Sequence, residues 1–413
     1  MESQERQSLN GETGFFYGYF VVIAAFFIMF VMYATYYAFG VFFKPMLNEF
    51  GWTRAIISGT FSLSSIMMGL LGFAMGRLTD KFGPRIVMTT CGLLLGLGYV
   101  LMSQLDVVWK LYLFYGVIVG AGMGGSFVPL MSTVARWFDK RRSMMTGIVT
   151  AGIGIGALVG PPVASRLISA YGWRVSYVIL GGIVLAVVVL SSQLIKRDPA
   201  QAGQMPYGAK KGEQKGLNPG AEALSLMEAF YTGQFWVVFG MFFCFGFCLF
   251  AVMVHIAPHA IELGISAASA ANILATIGGL SIVGKILLGR AADIIGNRQI
   301  YIICFATMSA ALFCLGPVKM VWIFYFFAVI FGLSYGGIVA SESPLVALLF
   351  GLRSHGSILG VIAVGFTIGG AFGPLLAGHI FDVTGSYRPA FFICAAISFV
   401  GLILSFVLKT KKR

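Results

Sequence analysis

Lys285 stands inside an apolar run, 268–291, with no acid within helical reach. An ammonium in the middle of such a run costs about 2.5–3.5 kcal/mol on insertion scales. The missing counter-charge must then come from outside the chain, which makes Lys285 a candidate anion holder. Ser281 and Gly278 fall on the same helical face and offer a hydroxyl and space beside it. The alternative is a lysine whose stem lies along apolar surface while its head reaches the nearest interface. Bond-breaking chemistry is not indicated. The apolar runs hold no paired carboxylates, histidine cluster or Ser-His arrangement, so catalytic residues, a metal site and a cofactor are all read as none.

The other ionisable groups suggest proton handling and gating. Glu342 is the one acid entering an apolar run, and it is expected to pair with Arg290 or Arg353; a proton-binding carboxyl is the alternative reading. Tyr335, two turns earlier, and Tyr37, in the Tyr33, Tyr36, Tyr37 cluster, are candidate phenol donors to a bound carboxylate. His255 and His259 flank Pro258, and an imidazole that titrates near roughly 6.5 suits a pH-responsive gate as well as a satisfied interfacial position. Asp80 lies between Arg77 and Arg85 in RLTDKFGPR (77–85), and Asp293 between Arg290 and Arg298 in RAADIIGNR (290–298). An aspartate at one helix end can accept from the N-terminus of another helix and pair with arginine. These six residues, with Arg136, are gating candidates; the simpler reading is a basic topological stop.

The elements that must position these groups are membrane helices. Mean hydropathy is +0.90 and only 10% of residues are charged, against about 25% in soluble domains. Runs able to cross a bilayer, at roughly 20 residues each, number twelve: 17–43, 53–75, 85–104, 108–134, 143–167, 173–195, 233–259, 268–291, 299–317, 320–347, 354–380 and 388–408. A shift of 213 residues lays the Asp80 stretch on the Asp293 stretch, and Gly152, Gly156, Gly160 and Pro161 on Gly365, Gly369, Gly373 and Pro374. The fold class is therefore an all-α membrane protein of twelve transmembrane helices in two six-helix pseudo-repeat halves. The expected bundles are 1–195 and 233–413. A Lys-, Gly- and Pro-rich linker, 196–232, joins them and includes a short amphipathic helix marked by Leu224, Met227 and Tyr231.

Glycine runs such as GIGIGALVGPP (152–162) lie in apolar helices, not after a strand, so they are no dinucleotide fingerprint. They read as smooth strips that let helices approach and, in helices 5 and 11, as rocking surfaces. The net charge of +13 is distributed by topology: 20 basic residues fall on the side of both termini and the linker and 7 on the other. The positive-inside bias makes that side cytoplasmic, with the chain multi-pass in the cell (inner) membrane, in contact with lipid and without a nucleic-acid partner. Residues 1–16 lack a cleavable signal pattern. The six cysteines all lie in apolar runs and read as packing residues.

GRLTDKFGPR (76–85) and its copy at 289–298 resemble the signature loop of the major facilitator superfamily. ARWFDKRRSMMTGIVTAG (135–152) resembles the loop and fifth helix of monocarboxylate transporters and their bacterial anion-carrying relatives. So do YGYFVVIAAF, FGVFFKPMLNEFGWTR (39–54) and VHIAPHAIELGIS (254–266). The resemblance covers both halves, and the bacterial branch is the closer fit. It implies alternating access and proton-coupled movement of a small monocarboxylate, such as lactate or pyruvate, by a monomer. It also implies that Lys285 stands where the family typically carries an arginine that engages the carboxylate. Two departures follow: Ser281 replaces an aspartate common in animal members, and Tyr37 replaces their lysine.

An oxalate/formate-type anion exchanger is the near alternative, but those carriers use a second intramembrane cation in helix 11, and 354–380 has no Lys or Arg. A membrane-embedded enzyme lacks its expected groups here. A channel has no need of duplicated gating loops.

Overall fold

Gly172 breaks a very long helix. Arg142–Leu194 runs for 53 residues, about 80 Å at 1.5 Å per residue, more than twice the roughly 30 Å hydrocarbon core. At Gly172 the backbone turns to φ 77°, ψ 162°, a region that the missing Cβ leaves open. The computed structural model describes residues 16–209, 224–315 and 320–409. Among them, eleven helices are long and apolar enough to cross a membrane, and the break at Gly172 makes twelve crossings.

These spans are Gly18–Phe50 (1), Ile56–Phe82 (2), Pro84–Met102 (3), Val108–Trp137 (4), the two parts of Arg142–Leu194 (5 and 6), Gly233–Glu262 (7), Ser269–Ile295 (8), Asn297–Leu315 (9), Val321–Phe350 (10), His355–Thr384 (11) and Arg388–Val407 (12). Span 2 outruns its apolar sequence by about two turns and span 8 by about one, so Asp80 and Asp293 sit on helix rather than in loops. Hydropathy ends where charge begins, whereas the helix ends at Gly83 and Gly296, both at positive φ.

Duplication governs the packing inside each half. Gly152, Gly156 and Gly160 of span 5 seat on the backbone of span 1 at Phe26, Phe30 and Ala34. Gly369 and Gly373 of span 11 seat in the same way on the backbone of Phe243 and Phe247 of span 7, and Gly365 packs on the Phe239 ring. Gly120 and Gly124 bring span 4 onto span 2, and Gly332 and Gly336 bring span 10 onto span 8. These glycines of spans 5 and 11 therefore bind helices within a half, while other positions of the same two spans meet the opposite half, as Gly154 does at Ile282. Other glycines line the contact between halves: Gly76 against Gly356, Gly360 against Phe73, Gly147 against Lys285, and Gly289 against Ser143.

Those contacts lie toward the ends of the spans that meet the linker, here called the linker face. Along the same helical faces but toward the opposite end, Ser62 and Ile66 of span 2, Leu158 and Ser165 of span 5, Ala271 and Ala275 of span 8, and Ala371 of span 11 are exposed. The halves thus close at the linker face and part toward the far face, leaving a cleft between them.

The first part of the linker is tied down: Tyr207 exchanges backbone hydrogen bonds with Trp137, Asp139 and Lys140. The expected short helix is Leu226–Phe230, closed by Ser225 and Glu228 in a reciprocal cap. The Ser225 N–H and hydroxyl, with Arg353 nearby, hold the Glu228 carboxyl below the usual carboxylate range. Arg6, Lys210, Lys211, Lys215, Lys319 and the basic residues at 411–413, all part of the charge distribution above, lie outside the described residues.

Candidate functional site

The floor of the cleft is built around Lys285. Its backbone is gripped from two sides, because span 5 approaches through Gly147 and span 10 through Gly336, where an added Cβ would strike the Lys285 carbonyl and amide. The side chain is 0% exposed. Its Nζ donates to the Thr150 carbonyl of span 5 at 3.1 Å and lies 5.3 Å from the centre of the Tyr335 ring. No acid contacts it among the described residues. Snorkelling is excluded by this geometry: the ammonium points across the interface between halves, into protein.

Tyr335 is half-buried, its ring packed on Phe245 of span 7, which in turn meets Phe366 of span 11. Tyr37 of span 1 is 41% exposed although it lies deep in the bundle, beside Tyr33 and Tyr36 and within electrostatic range of Tyr335. It therefore faces the cleft. Tyr36 turns away instead, bonding Ser64 and Ser65 within its half, and Tyr33 accepts from Ser126. Ser281 is brought to the same helix face as Lys285, but it is buried and its hydroxyl donates to the Gly278 carbonyl at 2.7 Å.

Glu342 pairs with neither Arg290 nor Arg353, contrary to the sequence expectation. Arg290 reaches the Met144 sulfur, and Arg353 lies by Glu228. Glu342 is 6% exposed. It lies two turns below Tyr335 on one face of span 10, within electrostatic range of the Tyr33 and Tyr301 hydroxyls, and among the described residues it has no hydrogen-bond or ion-pair partner.

Beneath the cleft, two equivalent clasps join the halves. Asp80 accepts from the N–H groups of Gly356 (3.2 Å) and Ser357 (2.9 Å) at the start of span 11, and from the Ser357 hydroxyl (3.0 Å). Asp293 accepts from Ser143 (2.8 Å) and Met144 (2.9 Å) at the start of span 5. Free N–H groups at a helix start hold a carboxylate well. The arginine beside Asp80 is Arg136, at 3.5 Å, which also donates to the Leu352 carbonyl at 2.7 Å and pairs with Asp198. The structure does not bring the flanking arginines to the clasps: Arg77 is exposed, Arg85 bonds Gln193, and Arg298 bonds the Ser405 and Phe406 carbonyls. Ser343 adds a third tie, donating to the Met131 carbonyl across the interface.

His255 and His259 lie away from both clasps. His255 contacts the Pro374 carbonyl at 3.0 Å and the Tyr387 ring. His259 is 2% exposed among Phe324, Tyr387 and Phe391, and neither ring nitrogen has a hydrogen-bond partner among the described residues.

Sequence reasoning missed Thr150, Gly147, and the N–H pairs 143–144 and 356–357. A signal was available: the shift of 213 residues that maps Asp80 on Asp293 also maps Ser143 and Met144 on Gly356 and Ser357. Thr150 offers only a backbone carbonyl, which no side-chain type announces.

The sequence model of the Major Facilitator Superfamily matches residues 25–288 and again 256–413, together most of the chain and both halves. The chain belongs to the Major Facilitator Superfamily. Monocarboxylate transporter 4 of Gallus gallus is 28% identical over 388 residues, covering 91% of this chain and 79% of the relative. An uncharacterized MFS-type transporter of Escherichia coli K12, YhjX, is 28% identical over 320 residues, 76% of each chain. Among solved structures, the human organic anion transporter MFSD10 superposes with a TM-score of 0.74 at 14% identity over 94% of this chain and 99% of its own. FucP in its outward conformation gives 0.70 at 16% identity over 94% and 98%. At these identities the structures bear on fold alone. Membership makes the chain a multi-pass membrane transporter of small molecules, not an enzyme, and alternating access is the family's mode of action.

Proposed function

We propose that this major facilitator carries small organic anions, specifically monocarboxylates of the lactate or pyruvate type, with a proton. The observation that carries the reading is Lys285: a fully buried lysine at the floor of the cleft, bound to a neutral carbonyl and a ring face, with no acid beside it among the described residues. A carboxylate entering the cleft would supply the missing charge in a low-dielectric site, where such a pair is strong. Tyr37 and Tyr335 flank the approach and can donate to it. The names of the monocarboxylate transporters that the chain resembles support the same class. One intramembrane cation suits a monoanion, and this favours the reading over oxalate/formate-type exchange of a dianion.

Transport then consists of the two bundles, 1–195 and 233–413, rocking about the site, with 196–232 linking them. Release of the Asp80 and Asp293 clasps opens the linker face. Both termini and the linker lie in the cytoplasm and the protein works as a monomer in the inner membrane; the basic residues of the linker face support this orientation. Uptake of labelled lactate, pyruvate, acetate, oxalate and formate into proteoliposomes, with and without an inward proton gradient, tests the function. Monocarboxylates should accumulate with the gradient. Oxalate uptake that requires internal formate, without lactate uptake, would replace the reading with the exchanger.

A further inference from the structure

We propose that a second anion site lies at the linker face, in a cavity beside the Asp293 clasp, where a soluble polyvalent oxyanion bearing phosphate or carboxylate groups binds and holds the halves closed. The cavity measures about 300 Å³ and its walls come from both halves: Arg142 and Ser143 at the start of span 5, and Asn297, Arg298 and Gln299 at the start of span 9. Asp139 and Asp293 also line it, but both are engaged. Asp293 is held by the Ser143 and Met144 N–H groups, and Asp139 lies 3.6 Å from Arg142.

The remaining lining is rich in donors. Arg298 spends Nε and Nη2 on the Ser405 and Phe406 carbonyls, which leaves Nη1. The Asn297 amide oxygen accepts from the Ser143 hydroxyl at 2.9 Å, which leaves its NH2 group, and the Gln299 amide has no hydrogen-bond partner among the described residues. Arg142 is 4% exposed and its Nε donates to the Phe138 carbonyl; a guanidinium carries donors enough to add a ligand to such contacts. Guanidinium forks on two walls suit an anion with charge at more than one end.

The duplication provides an internal comparison. At the Asp80 clasp, the residues equivalent to Asp139, Arg142, Asn297 and Gln299 are Leu352, His355, Pro84 and Ile86. The polar lining is therefore particular to one clasp, not inherited from the repeated fold. Arg136 lies 3.5 Å from Asp80 and reaches the Leu352 carbonyl, whereas its equivalent near Asp293 is Leu349. One clasp is tied by a resident arginine; the other is flanked by the cavity.

An anion on Arg142 and Arg298 together touches both halves, which is possible only while the linker face is closed. Binding to that state alone raises the closed-to-open ratio about tenfold at ten times the dissociation constant. In the proposed topology this face meets the cytoplasm, so a cytoplasmic anion slows turnover without entering the cleft.

Calorimetric titration of the purified full chain with pyrophosphate and, separately, citrate, at constant ionic strength, tests the site. At least one probe should bind, and Arg298→Gln should weaken it by about tenfold or more, as loss of a charged hydrogen bond does. Because Arg298→Gln can fail to fold, Gln299→Glu, which puts a negative charge on an exposed wall position, should weaken it likewise. Lys285→Ala should bind the probe like the parent. Binding of neither probe, full binding by Gln299→Glu, or loss of binding in Lys285→Ala would overturn the proposal. Coupling to closure is read in Asp80→Asn, where the other clasp is loosened and this one intact: cross-linking between cysteines at 131 and 343 should quicken with the bound probe, and an unchanged or slower rate would refute the closing role. Nanodiscs separate the sources of the anion. Phosphatidylglycerol discs that block the probe where phosphatidylcholine discs do not would give the cavity to a lipid headgroup and overturn the soluble ligand.

Discussion

Asp80 and Asp293 each clasp the helix start that belongs to the other half, and the two contacts are copies: Asp80 holds the N–H groups of 356 and 357, Asp293 those of 143 and 144. Each aspartate sits at the linker end of a helix that also lines the cleft. Span 8 carries both Asp293 and Lys285, so the anion site and one clasp are parts of one rigid element.

Neutralising either aspartate should weaken the closed linker face. Asparagine keeps one acceptor oxygen but loses the charge, and hydrogen bonds to charged groups contribute about 1.5–3 kcal/mol. A loss of about 1–2 kcal/mol shifts the closed-to-open ratio by about 5- to 30-fold. For Asp80→Asn and Asp293→Asn, spin-label distances across the linker face should lengthen and uptake should fall while expression is kept. Unchanged distances in the double variant would reduce the duplicated motif to a topology signal.

Gly76 and Gly356 face each other so closely that an added Cβ on either would strike the backbone of its opposite. Gly76→Ala should wedge the halves apart at the linker face, an overpacking cost of about 1–3 kcal/mol, and Gly289→Ala should do the same against Ser143. Gly172→Ala strains a positive-φ break far from this interface and serves as a control for general damage. Cross-linking yield between cysteines placed at 131 and 343, which meet across the interface, reads the closure directly: it should drop in the wedged variants and hold in the control.

The fold was largely legible because a bilayer imposes a coarse rule, twenty apolar residues per crossing, and because one ancestral half is written twice. Lys285 was legible for the same reason, since a cation in an apolar run is conspicuous. The clasps were half legible. Asp80 and Asp293 stand out by repetition, but their partners are main-chain N–H groups, and the nearest arginines in sequence pair with neither: Arg77 is exposed and Arg290 reaches the Met144 sulfur. Glu342 was misread as ion-paired for a related reason: sequence proximity to Arg353 ignores the helix end at Gly351, which directs the chain away.

His259 should be replaceable. Its ring fills an aromatic pocket while both nitrogens lack hydrogen-bond partners among the described residues, and an unsatisfied buried polar group costs about 1–3 kcal/mol. His259→Phe keeps the ring contacts and should raise thermal stability by a few degrees with lactate uptake near the parent rate. Loss of uptake with a normal melting transition would restore the histidine as a functional gate.

Orientation is accessible to labelling. Met205, exposed in the tied-down part of the linker, and Tyr171, exposed at the break between spans 5 and 6, lie at opposite ends of the bundle. With the exposed Cys314 first replaced by serine, a cysteine at 171 should react with an impermeant maleimide in intact cells and one at 205 only after lysis. The reverse pattern would invert the proposed topology.

Lys285→Ala separates anion binding from folding. Removing one member of a buried ion pair is destabilising because it strands the other charge, but Lys285 has no such partner among the described residues: its loss leaves the Thr150 carbonyl, which stays within helical span 5, and the Tyr335 face. The variant should therefore insert and melt like the parent while lactate binding falls by at least tenfold, the equivalent of about 1.4 kcal/mol. Parent stability should rise with added lactate, since a ligand that binds only the folded state shifts the transition upward, and that shift should be absent in Lys285→Ala. A variant that melts normally and still gains the full lactate shift would mean that the carboxylate is held elsewhere, with the phenols of Tyr37 and Tyr335 the next groups to remove.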